Sequence, residues 1–287
     1  MIEIKNAYQH CRLITKKEAK NFFYAFITLP KKKRDAIYAT YAFCRHCDDA
    51  VDRNTSLDMK LHTLGELREH LESTYAGKPK GYVFTALGHA ANTHNIPQGY
   101  FQEVINGVEM DLTIDRYQTF EDLKLYCYRV ASAVGLICLE IFEYKDPIAI
   151  QYAIDLGVAM QLTNIIRDVR EDLHQNRIYL PIEDMEKYGF SERDLLNGTN
   201  RKAQKCFIKF QVNRARDNFQ TGLRILPYLP ARSRACPSIL AQLYMHILDR
   251  VEKNDFNVFD SRIRLSNTEK LVVMVTTWMR SFLPRTR

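Results

Sequence analysis

Helical periodicity extends through almost the whole of this 287-residue chain. Apolar residues recur every three or four positions, the spacing that places them on one face of an α-helix. The chain contains only 11 glycines and 9 prolines, which is not the turn-rich composition of a β-sandwich or a β-barrel. No segment shows the alternation of apolar and polar residues that is typical of a half-buried strand. The pattern therefore predicts an all-α fold, with 46% hydrophobic residues to fill its core.

Short polar segments separate the predicted helices, and a turn of four basic residues at positions 31–34 is the most strongly charged of them. The helical pattern lapses between residues 174 and 199. Neither an internal repeat nor a long linker divides the chain, so we expect a single domain over residues 1–287. The predicted helices span residues 6–27, 35–52, 58–75, 82–94, 98–112, 119–143, 147–173, 200–226, 232–253 and 266–282.

Two pairs of aspartates stand 120 residues apart, each near the C-terminal end of an apolar predicted helix. Asp48 and Asp52 form the first pair, and Asp168 and Asp172 form the second. Residues four apart project from one face of a helix, so each pair presents two carboxylates side by side. Mg²⁺ takes oxygen ligands, usually one or two carboxylates together with substrate phosphates. Two facing pairs would therefore suit roughly two or three Mg²⁺ ions that bind a diphosphate.

A solvated acidic surface is the commoner explanation of one such pair. Here apolar stretches precede both pairs, and arginines such as Arg45 and Arg177 lie close to them in sequence. Arginine carries a permanent charge and binds phosphate oxygens through two hydrogen bonds at once. Like charges four residues apart also destabilise a helix by roughly 0.2–0.5 kcal/mol, so two idle pairs would be a liability. We interpret the pairs as a diphosphate site at the edge of the core.

The net charge of +7 and the sequence pI of 8.9 favour anionic partners. Basic residues are spread along the chain, and no block resembles a nucleic-acid-binding arm. We therefore expect no nucleic acid partner, and we expect diphosphate substrates or an anionic membrane face instead. The sequence leaves the oligomeric state open.

Seven cysteines, an odd number, lie mostly in apolar helical stretches, and the N-terminal sequence MIEIKNAYQH lacks the features of a secretory signal. We therefore expect free thiols in a reducing cytoplasm. Cys44 and Cys47 form a CxxC pair without the partners of a zinc site, and we interpret both as core residues. No run approaches the ~20 apolar residues of a membrane span. Residues 271–279 are expected to form a core helix, with peripheral docking at the inner face of the membrane as the alternative.

Four motifs, in this order along the chain, resemble the squalene/phytoene synthase family. They are YAFCRHCDDAVD at 41–52, VASAVGL at 130–136, QLTNIIRDVRED at 161–172 and RIYLP at 177–181. The resemblance extends from about residue 7 to about residue 265. The family consists of head-to-head prenyl diphosphate synthases. The resemblance implies an isoprenoid-synthase helical bundle around a central apolar cavity, with two facing aspartate-rich motifs.

The resemblance also implies roles for residues at the matching positions. Those that would hold Mg²⁺ are Asp48, Asp52, Asp168 and Asp172, with Asn164. Those that would contact substrate diphosphate are Lys20, Arg45, Arg177 and Tyr179. Polar groups that reach into the cavity would be Tyr41, Tyr128, Gln161 and Tyr244, and aromatic groups beside the reacting chains would be Phe22 and Phe26. Catalysis would rest on Tyr41, Arg45, Tyr128 and the four aspartates. Asp49 belongs to the first motif, but helix geometry turns it about 100° away from its neighbours.

Within the family, three segments bear on the branch. Phytoene and dehydrosqualene synthases often carry serines at the positions of Ala19 and Asn21, and Gly-Thr-Val-Gly at the position of residues 132–135. AKNFFYAF, RHCDDAVD and VASAVGL look more like bacterial presqualene diphosphate synthases of hopanoid pathways. The resemblance therefore implies that two farnesyl diphosphates are joined to presqualene diphosphate with release of diphosphate. Squalene synthesis with NADPH, and dehydrosqualene or phytoene synthesis for carotenoids, are the alternatives.

Mg²⁺ is the cofactor that the resemblance implies. No GxGxxG motif follows a predicted strand, so no motif supports NADPH, although a helical fold can bind it in another way. Head-to-tail prenyltransferases share such a core but usually carry DDxxD in both motifs, whereas the second motif here ends in DVRED. A catalytically inactive helical binding protein is the alternative of a different class.

Overall fold

The computed structural model describes residues 2–52, 55–260 and 262–281, except for the side chains of Lys20 and Asn21. Fourteen α-helices account for most of these residues. The helices are α1 (Ile4–Glu18), α2 (Lys20–Ile27), α3 (Lys31–Asp52), α4 (Leu57–Tyr75), α5 (Gly81–His94), α6 (Gln98–Met110), α7 (Phe120–Cys127), α8 (Ala133–Phe142), α9 (Ile148–His174), α10 (Ile182–Lys187), α11 (Glu192–Asn197), α12 (Arg201–Gly222), α13 (Ala231–Lys253) and α14 (Asn267–Arg280). Within these ranges there is no β-strand, and one isolated bridge joins Arg116 to Ile178. The predicted all-α fold is confirmed.

The central helix of the bundle is α9. It packs against α7, α8, α12 and α13, and its apolar face, from Leu156 to Val169, is buried. Gly222 lets α12 approach it closely, because a Cβ at that position would lie 2.6 Å from the backbone nitrogen of Leu156. This packing positions α9, whose last turns carry the second aspartate pair.

The single helix predicted at residues 6–27 is broken in two. Ala19 separates α1 from α2, with a φ of −97° and a ψ of 43° that lie outside the helical region. The two halves then pack on different partners: α1 lies against α3 and α5, and α2 lies against α13. Because of the break, α2 has its own orientation in the bundle.

The basic segment predicted as a turn forms the first turn of α3. A helix N-terminus carries a partial positive charge, so cations there are unfavourable unless acids compensate them. Lys31 pairs with Asp35, and the Lys33 Nζ lies 3.0 Å from the Glu143 Oε2. These ion pairs allow the helix to begin four residues earlier than its apolar pattern indicates.

A wide π-helical turn, Tyr128–Ser132, connects α7 to α8 inside the helix predicted at 119–143. Ser132 lies against α9: its Oγ donates to the Ile154 carbonyl at 2.8 Å, and a Cβ at Gly157 would lie 2.5 Å from the Ser132 Cα. The two helices therefore touch backbone to backbone at this point. A π turn also changes which side chains share a face on either side of it.

Two short helices, α10 and α11, lie in the region where the periodicity lapses. Each has six residues, which is too short for a periodic pattern to identify. At the start of α11, Ser191 and Asp194 form a reciprocal capping box, in which each side chain accepts the other residue's backbone N–H.

The interpretation of residues 271–279 as a core helix is wrong. Val273 is the buried residue of α14, and its other large apolar side chains are partly or fully accessible. Elsewhere, the helical run Phe120–Phe142 is long and apolar enough by length and composition to cross a membrane, contrary to the expectation from sequence. Half of its most apolar stretch is buried inside the protein, as in the core helix of a soluble protein.

The cysteines agree with the interpretation from sequence. All seven are free, and Cys47 is fully buried in the core. Cys44 lies on the wall of the central cavity. The CxxC pair is therefore part of the packing of α3.

Candidate active site

An apolar cavity of 420 Å³ lies between α2, α3, α6, α8, α9 and α13. This volume falls within the usual range for ligand pockets, roughly 300–1,000 Å³. The apolar and aromatic residues on its wall include Phe22, Phe26, Tyr41, Val134, Leu139 and Met160. Other large residues of the same helices are buried elsewhere in the core, namely Phe23, Tyr38, Phe43, Leu136 and Ile137. The aromatic wall on α2 is ordered by contacts of Phe22, whose ring centroid lies 6.2 Å from that of Phe26 and 6.2 Å from that of Tyr244.

The segment 131–135, which spans the end of the π turn and the start of α8, serves two purposes. Ala131, Val134 and Gly135 line the cavity. Ser132 and Ala133 are fully buried, and Ser132 forms the close contact with α9. The sequence alone does not separate these two uses of small residues, because both favour the same residue types.

Three helix C-termini bring acids to one end of the cavity. Asp48 and Asp52 lie in the last turns of α3, the second pair lies in the last turns of α9, and Asp111 directly follows α6. Each C-terminus adds the partial negative charge of its unpaired carbonyl groups. The acids and the helix ends together make this end of the cavity attractive to cations.

The acids of different helices are close enough to influence one another's ionisation. Burial raises the pKa of Asp48 to about 7, and the charges of Asp52 and Asp111 add to the shift. Burial likewise raises the pKa of Asp172 to about 7, with contributions from Asp168 and Asp111. Asp48 has accessible surface, but this residue lines the cavity, where surrounding protein still desolvates it. Carboxylates that repel one another in this way would gain from a bound cation.

Asp111 is a site residue that the sequence analysis missed. It accepts a hydrogen bond from the Tyr179 hydroxyl at 2.7 Å and one from the Tyr126 hydroxyl at 3.2 Å. Its backbone carbonyl accepts from the Arg177 Nη2 at 3.0 Å. A single acid at the end of a predicted helix carries no motif, so only the fold identifies it as the link between the two aspartate pairs.

The two acids of the second pair have different surroundings. Asp168 accepts from the Arg167 Nε at 2.8 Å, and the Arg262 Nη2 lies 2.8 Å from its Oδ1. Asp172 makes no side-chain ion pair of this kind within the described part of the chain. Arg262 reaches Asp168 from the segment between α13 and α14, far away in sequence.

The predicted diphosphate contacts are only partly assembled. Arg45 pairs with Asp49 on the flank of α3, so Asp49 is turned away from the acid pair as predicted. Arg177 and Tyr179 surround Asp111 at the cavity end. The side chain of Lys20 lies outside the described residues.

An amide on α9 has an unused acceptor beside the acids. Asn164 donates from its Nδ2 to the Gln161 Oε1 at 3.2 Å, but its buried Oδ1 has no partner among the described residues. Both residues line the cavity, and so does the buried Tyr244. A buried oxygen without a hydrogen bond is costly, and a cation would satisfy it.

The structure contradicts the placement of Tyr128 in the cavity. Tyr126 lines the wall instead, and Tyr128 does not. Two residues along a helix is roughly half a turn, so the two side chains point in different directions. The π turn then brings Ala131, five residues after Tyr126, onto the same wall.

This set of donor groups fits divalent cations that are coordinated by the protein and a substrate together. Among the described residues, no three His, Cys, Asp or Glu side chains are arranged to hold a metal ion by themselves. Mg²⁺ usually keeps waters and substrate phosphates in its coordination shell. The raised pKa values at the acid cluster and the unpartnered Asn164 oxygen both fit ions that bind together with a diphosphate.

Comparisons with known proteins agree with this geometry. A sequence profile described as squalene/phytoene synthase matches residues 15–269. The chain is 38% identical to a 15-cis-phytoene synthase of Synechocystis sp., over 97% of this chain and 86% of that protein. It is 34% identical to a phytoene synthase of Mycobacterium tuberculosis, over 95% and 91% of the two chains.

Solved structures agree as well. A dehydrosqualene synthase in complex with ligand superposes with a TM-score of 0.89 at 30% identity, covering 97% of this chain and 98% of the other. The squalene synthase HpnC from Alicyclobacillus acidocaldarius superposes with a TM-score of 0.85 at 28% identity, covering 90% and 98%. The resemblance seen in the motifs is confirmed, and the isoprenoid-synthase helical fold with it. The chain belongs to the squalene/phytoene synthase family, whose members are head-to-head prenyltransferases.

Proposed function

We propose that this chain joins two farnesyl diphosphates head to head and releases presqualene diphosphate and diphosphate. The observation that carries the reaction type is the acid cluster at one end of an apolar cavity with aromatic walls. The acids suit a diphosphate that arrives with divalent cations, and the walls suit prenyl chains.

In this proposal Asp48, Asp52, Asp168, Asp172 and Asn164 hold roughly two or three Mg²⁺ ions. Bound Mg²⁺ would neutralise the charge that develops on the departing diphosphate.

Arginines complete the diphosphate site. Arg177 already lies at the cavity end, and Arg45 would exchange Asp49 for a diphosphate oxygen. An arginine can bind such an oxygen in bidentate fashion.

Loss of diphosphate from one substrate leaves an allylic cation. The apolar walls keep water away from it, and the ring faces of Phe22, Phe26 and Tyr41 attract positive charge over distances of about 6 Å. The cation then bonds to the double bond of the second substrate, and loss of a proton closes the cyclopropane ring.

The proton acceptor in that last step is the released diphosphate rather than Tyr41. Burial raises the pKa of the Tyr41 phenol to about 12, so its basic form is scarce at neutral pH. A diphosphate oxygen is more basic than a neutral phenol and is formed next to the cation.

Asp111 acts as a positioning residue in this scheme. Its carboxylate fixes the hydroxyl groups of Tyr126 and Tyr179, and its carbonyl fixes Arg177. Donors that are fixed in advance stabilise developing charge more effectively than donors that must reorient.

The farnesyl preference and the presqualene product are supported by departures in two segments of sequence. Ala19, Asn21 and Ser132-Ala133 depart from the residues that phytoene and dehydrosqualene synthases often carry. Ser132 and Ala133 are buried where α8 meets α9, so the departure lies at a packing contact of the cavity wall. Phytoene synthesis from two geranylgeranyl diphosphates is the second candidate, favoured by the names of the Synechocystis and Mycobacterium relatives.

A product assay separates these candidates. The protein is incubated with Mg²⁺ and either farnesyl or geranylgeranyl diphosphate, with and without NADPH, and the organic extract is analysed by mass spectrometry. The proposal predicts a C30 product that keeps one diphosphate whether or not NADPH is present. A C30 hydrocarbon formed only with NADPH would indicate squalene synthesis, one formed without NADPH would indicate dehydrosqualene, and a C40 hydrocarbon would indicate phytoene. The absence of any product from either substrate would favour the alternative of a catalytically inactive binding protein.

A further inference from the structure

The outer face of α14 is an apolar stripe that no other described part of the protein covers. Its exposed residues recur at the helical spacing that places them on one side, and they are Leu271, Val272, Val275, Trp278 and Met279. The opposite side of the helix holds Val273 against the core. Isolated exposed apolar residues are normal on protein surfaces, but an amphipathic helix normally turns its apolar face inward. This helix has the opposite orientation.

The stripe continues onto α2, which packs beside α14. Tyr24 is 58% exposed and Ile27 is 45% exposed on the outer side of α2. Its inner side carries Phe22 and Phe26 into the central cavity. A single helical layer therefore separates the cavity from the outer apolar surface. We call the exposed apolar residues of α2 and α14 the apolar patch.

Exposed basic residues follow both helices of the patch in sequence. Lys32 is exposed in the first turn of α3, soon after α2 ends, and Arg280 is exposed at the end of α14. Lys31 is also exposed there, although Asp35 pairs with it. The acid nearest in sequence on α14 is Glu269, which is already paired with Arg250.

A second cavity lies between the patch and the central cavity. It is lined by Lys270 of α14, Phe22 of α2 and three arginines, Arg167, Arg262 and Arg264. It shares Phe22, Asn164, Leu240 and Tyr244 with the central cavity. Apolar groups on α2 and α13 thus continue from the central cavity to the base of α14.

We propose that the apolar patch docks on an anionic lipid bilayer. Amphipathic helices with basic borders lie in the bilayer interface, where the apolar face enters the acyl boundary and the cations meet anionic headgroups. Tryptophan favours this interfacial level. A second copy of the chain would also cover apolar surface, but it would bring another net charge of +7 to the same basic border. An anionic bilayer neutralises these charges.

The chain carries its own reporter, because Trp278 is its single tryptophan and belongs to the patch. The test mixes the full-length protein, without substrate, with vesicles of phosphatidylcholine alone or of phosphatidylcholine with phosphatidylglycerol. Flotation measures binding, and tryptophan emission measures insertion. We expect flotation, a blue shift and quenching by brominated lipid with the anionic vesicles. Raised salt should weaken the binding.

Leu271→Asp and Val275→Asp, combined in one variant, should lower affinity for anionic vesicles at least about tenfold, because each removes apolar groups from the interface and adds a repelled charge. Leu196→Asp is the matched control, since Leu196 on α11 is 58% exposed and Leu271 is 57% exposed. The control should bind as the wild type does. Both variants alter exposed side chains, and circular dichroism confirms that they fold.

Three results would overturn the proposal. One is the absence of flotation and of any blue shift with anionic vesicles. Another is an equal loss of binding in the Leu196→Asp control, which would mean that charge alone decides the interaction. The last is a lipid-free dimer, seen by sedimentation, in which the Trp278 emission shifts to the blue; this would assign the patch to a second copy. The assay uses no substrate, so its result does not depend on the proposed reaction.

Discussion

Asp172→Asn is expected to stabilise the ligand-free protein above acidic pH while removing its activity. Burial and the charge of Asp168 raise the pKa of Asp172 in the folded protein from 3.8 to about 7. Between these values the folded protein keeps a proton that the unfolded chain has lost. The free energy of unfolding therefore falls as pH rises from about 4 to about 7 and then levels off. Asparagine carries no charge and removes this contribution.

The size of the effect follows from the shift. A change of about 3 pKa units corresponds to about 4 kcal/mol, and because the half-buried carboxylate is partly screened by solvent we expect about half of that, about 2 kcal/mol. Unfolding entropies are about 2.1 cal/mol/K per residue. For 287 residues, the variant should therefore melt about 3 °C above the wild type at pH 8.

Thermal unfolding followed by circular dichroism from pH 4 to pH 9, without Mg²⁺ or substrate, measures this difference. It should be small near pH 4, grow up to about pH 7 and stay constant above. Asp168→Asn is the matched control, because Asp168 lies one turn earlier on the same face and is paired with Arg167 and Arg262. Its loss leaves two arginines without their acid and should lower Tm. A Tm below that of the wild type for Asp172→Asn at pH 8, or stabilisation by both variants, would refute the reasoning.

The remaining predictions concern activity. Alanine at Asp48, Asp52, Asp168 or Asp172 should lower kcat at least about 100-fold while the circular dichroism spectrum stays native. Unchanged turnover in one of these four variants would remove its aspartate from the metal site. Asp49→Asn, in contrast, should retain most activity. EDTA should stop the reaction and Mg²⁺ restore it, and KM should rise with salt because partly exposed ion pairs are screened; full activity in excess chelator would argue against a metal. Tyr126→Phe should lower turnover at least about tenfold because Asp111 loses a donor, and Tyr128→Phe should leave it unchanged; the reverse order would contradict the assignment of Tyr126 to the cavity.

The helices were predictable because periodicity reports which face of a segment is buried. It does not report where the backbone leaves the helix without a proline or a glycine. The break at Ala19 falls inside a continuous periodic pattern, and the π turn at Tyr128–Ser132 lies against Gly157, a residue of another helix. The misplaced tyrosine has a different origin. Tyr128 was assigned from its match to a family position, whereas Tyr126, about half a helical turn earlier, is the one that lines the cavity.

The paired aspartates were predictable because both members of each pair lie on one helix. Asp111 and Arg262 were not, because each acts on groups that are distant in sequence and neither belongs to a local pattern. The outward face of α14 was only the alternative prediction for residues 271–279, for a related reason. Periodicity identifies an apolar stripe but not whether protein or something else covers it.

The central claim is that the aspartate pairs at the ends of α3 and α9 hold divalent cations together with a diphosphate. Electron paramagnetic resonance of Mn²⁺, used in place of Mg²⁺, tests it directly with inorganic diphosphate as the second ligand. We expect saturable binding of roughly two or three Mn²⁺ ions per chain when diphosphate is present and much weaker binding without it. A protein carrying both Asp48→Asn and Asp172→Asn should bind Mn²⁺ in neither condition. Tight binding without diphosphate, or equal binding by the double variant, would contradict the account.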